Sequence, residues 1–144
     1  MTKTVIHSIG ELEDFARATA ADFTNGHARA IGLVGPLGVG KTAYCAAVAR
    51  SLGYKQNATS PTFTLVHDYQ TPRGALAHID LYRLHPQDKE TIALLQEKIS
   101  DADFALVEWI DRVPALESLM DRIYKMEFNP DNSRNIIKIN DSKA

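Results

Sequence analysis

The chain has 144 residues, a formal net charge of −2, and one cysteine, Cys45, which excludes an internal disulfide and suits a single domain over 1–144. No apolar run reaches the ~18 residues of a membrane span, and the first residues lack a signal-peptide core, so a cytoplasmic location is expected. The 16 Lys and Arg are scattered and outnumbered by 18 acids, which argues against tight nucleic-acid binding by this chain alone.

Residues 5–9 read as a short strand. Ser8 and Glu11 have capping-box spacing, with Ser8 as N-cap and Glu11 reaching back. Leu12, Phe15, Ala16, Thr19, Ala20 and Phe23 then recur at helical spacing, and Asn25-Gly26 ends the helix. The apolar run 30–34 reads as a strand. It leads into Gly35-Pro36-Leu37-Gly38-Val39-Gly40-Lys41-Thr42, which fits the phosphate-loop pattern G-x-x-x-x-G-K-[ST]. On average residue frequencies such a match arises about once in a few tens of thousands of windows. A helix-compatible stretch, 43–52, follows.

Strand, loop and helix together give the motif a mechanism. Main-chain amides of Gly35, Gly38, Val39, Gly40 and the helix start through Ala43 would surround phosphate, helped by the helix dipole. Lys41 would neutralise the outer phosphates, and the Thr42 hydroxyl would hold Mg²⁺. ATP and Mg²⁺ are therefore the expected ligands. Cys45, among alanines on the same helix, reads as a packing residue.

Beyond the helix, 57–64 reads as a loop around Ser60-Pro61-Thr62, where related nucleotide hydrolases place a γ-phosphate sensor. Residues 64–69 and 76–80 read as hairpin strands about the turn 71–74. A polar helix is expected over 87–98, and 104–108 is apolar enough for a strand buried on both faces. Strands over 123–128 and 135–139 flank the turn cluster 129–133. The expected fold is an α/β, P-loop NTPase-like three-layer sandwich with a mainly parallel sheet and some antiparallel strands.

Two carboxylates close strands, where α/β sheets place their ligands: Asp80 and Glu108. Glu108, on the more buried strand, is the better metal ligand beside Thr42, and Asp80 the candidate base or water-positioning group. Trp109 divides between core packing and a site role, and strand alternation would point it away from Glu108 unless the strand has ended. Arg83 reads more as a surface residue than as a stabiliser of transferred phosphoryl charge, and the five histidines lack zinc-ligand spacing.

The segments 35–42, Ser-Pro-Thr-Phe-Thr-Leu-Val over 60–66, His-Ile-Asp-Leu-Tyr-Arg-Leu over 78–84 and Leu-Val-Glu-Trp over 106–109 occur in an order that resembles the TsaE family, the small ATPases of bacterial tRNA threonylcarbamoyladenosine synthesis. The resemblance implies ATP hydrolysis in support of TsaB and TsaD, with TsaD transferring the threonylcarbamoyl group to adenosine 37 of tRNA. It implies catalytic weight on Lys41, Thr42, Asp80, Glu108 and Trp109, metal ligation by Thr42 and Glu108, and nucleotide contact near Glu11, Ser133 and Arg134. The chain departs from the family at Pro36, where Asp is usual, and at Ala43, where a second Thr is common. A small-molecule kinase and a regulatory nucleotide switch on the same fold are the alternatives. The chain lacks the Arg-rich lid of the first and the Asn-Lys-x-Asp base-reading motif of a GTP-specific switch.

Overall fold

In the computed structural model, which describes residues 2–56 and 65–141, the strands form one seven-stranded sheet. The elements run β1 (Thr2–Ile6), α1 (Ile9–Thr24), β2 (Ala30–Val34), α2 (Lys41–Ser51), β3 (Val66–Thr71), β4 (Gly74–Asp80), α3 (Lys89–Asp101), β5 (Phe104–Glu108), α4 (Pro114–Glu117), β6 (Arg122–Phe128) and β7 (Arg134–Asp141). Their order across the sheet is β1-β7-β6-β2-β5-β4-β3. The centre, β6-β2-β5-β4, is parallel, and the flanking pairs are antiparallel. The expected architecture is thus the observed one.

Alternation along the strands divides the core between two faces. Ile31, Leu33, Leu76, Leu106, Tyr124 and Met126 pack beneath α1 and α2. Ala30, Ile79, Ala105, Val107 and Ile123 face α3, α4 and Ile110. Each fully buried aliphatic side chain of this kind stabilises the fold by about 1.5–3 kcal/mol. The inward face read for α1 is the observed one, with Ala16, Thr19, Ala20 and Phe23 buried and Leu12 and Phe15 packed at its margin. Cys45 is fully buried, and desolvation pushes its thiol well above the ordinary value.

Several boundaries differ from the sequence reading, each for a tertiary reason. The first strand spans Thr2–Ile6 rather than 5–9. Ser8 must stay extended to cap α1, where its hydroxyl accepts from the Glu11 amide at 3.1 Å, and pairing with β7 fixes the strand earlier. The reciprocal bond also shifts: Glu11 Oε1 accepts from the His7 amide at 2.8 Å, one residue before the cap. The hairpin closes on Pro72-Arg73, with Thr71 paired to Gly74, so β3 and β4 extend further toward the turn than expected. Asp88 caps α3 and delays it to Lys89, and the helix continues to Asp101. Sequence patterning missed the 3-10 turn Ile110–Arg112 and α4, both too short to carry periodicity.

That 3-10 turn lies close over β2. A Cβ on Gly32 would stand 2.8 Å from Ile110 Cγ2, so only glycine allows this approach. The chain segment leaving β5 is thereby pulled against the strand that leads into the phosphate loop.

Candidate functional site

The parallel order places the ends of β2, β5 and β4 side by side. Glu108 lies opposite Leu33 on one side and Asp80 on the other, so the acids that close β4 and β5 are register partners. The loop after β2 lifts over this edge and delivers Lys41 and Thr42 on the first turn of α2. Gly35, at φ 153°, is where the loop leaves the strand, and a Cβ there would lie 2.5 Å from the Met126 carbonyl oxygen. Among the described residues, no carbonyl accepts from the Gly38 and Gly40 amides, which leaves them available to an anion.

Thr42 Oγ1 donates to both oxygens of Glu108, at 2.9 and 3.1 Å. Glu108 is only 2% exposed, and among the described residues it also meets the buried His78, whose Nε2 is 2.5 Å from Oε2. Asp80 is half-buried and accepts from the Tyr82 amide at 2.9 Å. Burial raises the Asp80 carboxyl above its ordinary value against the pull of that hydrogen bond, and neighbouring Glu108 raises it further. Lys41 is 4% exposed; its Nζ donates to the carbonyls of Gly35 at 2.5 Å and Pro36 at 2.9 Å. Desolvation lowers its ammonium from the usual lysine range, opposed by Glu108 and then Asp80.

Trp109 packs at the margin of the core and also lines the cleft beside Lys41. The strand ends at Glu108, and Trp109 turns into the left-handed region at φ 60°, so alternation no longer directs its side chain. Its ring packs against the α3-side core and also lies 4.2 Å from Lys41 Nζ, with the Tyr82 ring 4.8 Å away. A bulky residue at positive φ is uncommon and strained, and clusters of such strain favour functional sites.

Two clefts meet at the loop. One, of about 530 Å³, is lined by Lys41, Thr42, Asp80, Glu108, Trp109, Tyr82 and the exposed Arg83. The other, of about 350 Å³, is mainly apolar and runs between Ile6, Ile9, Leu12, Val39, Met126, Asn132 and Arg134. Gly38, Gly40 and Ala43 border both. Arg134 ties the loop to the β6–β7 turn, its Nε donating to the Val39 carbonyl at 3.2 Å while its guanidinium lies 4.5 Å from the Phe128 ring. Ser133 is less available: its amide and hydroxyl both donate to Asp131 Oδ1. Glu11 sits at the start of α1 near the apolar cleft, its carboxyl held below the ordinary range mainly by the His7 amide. Ser60 and Thr62 lie outside the described residues.

The donor chemistry fits a hard divalent cation and a polyphosphate. A hydroxyl and a carboxylate converge, a second carboxylate is adjacent, and an ammonium flanks free loop amides, whereas the second cleft offers an apolar slot. His78 was the functional candidate that sequence spacing missed. The available signal was its place two residues before Asp80 in β4, hence on the same sheet face. Cys45 joins it, with ligand-type atoms of Cys45, His78 and Glu108 all within 4.8 Å of one another. No helix among the described residues is long and apolar enough to cross a membrane.

Comparison with known proteins converges on one family. The chain is 34% identical over 116 residues to the tRNA threonylcarbamoyladenosine biosynthesis protein TsaE of Rickettsia bellii, covering 80% of this chain and 78% of the relative. It is 39% identical over 106 residues to the TsaE protein of Aquifex aeolicus, covering 72% and 71%. The crystal structure of Bacillus subtilis YdiB superposes with a TM-score of 0.68 at 25% identity, covering 95% of this chain and 83% of that one. The model of the family described as threonylcarbamoyl adenosine biosynthesis protein TsaE matches residues 6–136, and the chain belongs to that family.

Proposed function

We propose that the chain is a Mg²⁺-dependent ATPase that supports N6-threonylcarbamoyladenosine formation at adenosine 37 of tRNA, working in the cytoplasm with TsaB and TsaD. TsaD carries out the transfer, and tRNA is met through the complex, in keeping with a net charge of −2. One observation carries the ATPase reading: Lys41, Thr42, Asp80 and Glu108 line a single cleft at the carboxyl edge of the sheet. Brought together by β2, β4 and β5, these groups are the set phosphoryl transfer to water requires.

In this reading Lys41 exchanges the Gly35 and Pro36 carbonyls for the outer phosphates. Loop amides fix the phosphate chain, and the apolar cleft between α1 and Met126 receives the nucleobase. Thr42 and Glu108 would hold magnesium, which when bound neutralises charge that develops on the transferred phosphoryl group. Asp80, its carboxyl raised by burial, orients the attacking water and accepts its proton. Trp109 lies against the Lys41 ammonium and limits water around it.

Arginine supplied by another protein raises phosphate-loop hydrolysis by about 10³–10⁵-fold. The isolated chain should therefore hydrolyse ATP slowly, only with Mg²⁺, and faster when TsaB, TsaD and unmodified tRNA are added. Phosphate release and modified-nucleoside counts per complex measure both. Absence of nucleotide uptake by calorimetry at millimolar ATP with Mg²⁺ would refute the ATPase reading; uptake without stimulation by the partners would refute only the assembly.

A further inference from the structure

We propose that His78 is a positioning residue for the metal-holding carboxylate: its Nε2–H fixes Glu108 Oε2, so that Glu108 Oε1 and Thr42 Oγ1 form a preset pair for a divalent cation. The inference rests on the magnesium reading above and adds a residue to it. His78 is fully buried, on the strand face that carries Leu76 toward α2. Aliphatic side chains fill that layer at Leu76 and at Leu106, the β5 residue opposite His78. An imidazole there needs a polar reason, and among the described residues its polar partner is Glu108 at 2.5 Å.

The tautomer follows from what surrounds the ring. Among the described residues nothing hydrogen-bonds Nδ1. A proton on Nδ1 would be a buried donor without an acceptor, which is costlier than a bare ring nitrogen. Nε2 therefore carries the proton and donates to Glu108, which remains an acceptor on both oxygens. Tyr69, itself fully buried, lies beside the ring, its plane at 22° to it and its centroid 6.2 Å away.

The contact is a hydrogen bond and not the collapsed form of a Cys45–His78–Glu108 metal cage. Two atoms sharing one tetrahedral zinc at ordinary bond lengths stand about 3.3 Å apart. His78 instead sits behind the carboxylate as an orienting partner. When Thr42 turns its hydroxyl proton away from Glu108 to offer a lone pair, the carboxylate loses one restraint and keeps the other.

Calorimetry of ADP binding to the full chain, in EDTA and in Mg²⁺, tests this through the ratio of the two dissociation constants. His78→Asn places its amide near the Nδ1 position, short of Glu108, and should weaken Mg²⁺ affinity about 10–100-fold, as loss of orienting partners does elsewhere, with Mg²⁺-free ADP affinity unchanged. His78→Gln, whose amide nitrogen reaches the Nε2 position, should restore the ratio. Equal behaviour of the two variants, whether both like wild type or both losing Mg²⁺-free binding, overturns the proposal. A wild-type chain that binds ADP with no Mg²⁺ effect instead removes the magnesium reading itself. If neither variant folds, ¹⁵N-resolved imidazole spectra of the wild-type chain decide: a proton on Nε2 is expected, and one on Nδ1 overturns the proposal.

Discussion

Glu108→Gln should lower Mg²⁺-dependent ATP hydrolysis by about 10²–10³-fold, the range seen when one preorganised charge-stabilising group is removed. The substitution keeps volume and one carbonyl oxygen, so Thr42 retains an acceptor in the buried site. What disappears is a negative charge from the hard-oxygen donor set, along with one acceptor position shared by Thr42 and His78. Nucleotide affinity in EDTA should stay within about threefold of wild type, because the loop amides and Lys41 are untouched. Single-turnover hydrolysis and calorimetry separate the two quantities. An unchanged rate would move metal ligation to the neighbouring Asp80.

Lys41→Met should weaken ATP binding by about 10–100-fold, the equivalent of one charge-assisted hydrogen-bond site of about 1.5–3 kcal/mol. Methionine keeps an unbranched apolar side chain and removes the ammonium, which lies 4.2 Å from the Trp109 ring. The loss should be much smaller for AMP, which lacks the outer phosphates. Equal losses for ATP and AMP would mean that the loop had collapsed. That alternative is a physical one, because Lys41 also bonds the Gly35 and Pro36 carbonyls from inside the loop.

What could be read from the residues was local chemistry and strand-scale periodicity. The phosphate loop is contiguous, its glycines and Lys-Thr pair sit at fixed offsets, and the parallel core shows itself in apolar runs bounded by Asp80 and Glu108. Less accessible was anything decided by partners distant in sequence. The first strand took its register from β7, more than a hundred residues away in the chain. Trp109 could not be aimed without knowing that β5 stops one residue earlier and that Gly32 admits Ile110 beneath it. The hold of Arg134 on Val39 joins a turn with no distinctive motif to the loop. His78 lies within the 78–84 segment, but its 2.5 Å contact across to β5 has no signature in the sequence.

Trp109 is the sole tryptophan of the chain and lies 4.2 Å from a cation that the proposed chemistry requires to change partners. Indole emission responds to the local electric field. Ultraviolet excitation would then give a label-free optical signal from this single chromophore, tied to the departure of Lys41 from the loop carbonyls. Stopped-flow mixing with nucleotide could time that displacement directly, before any phosphate is released.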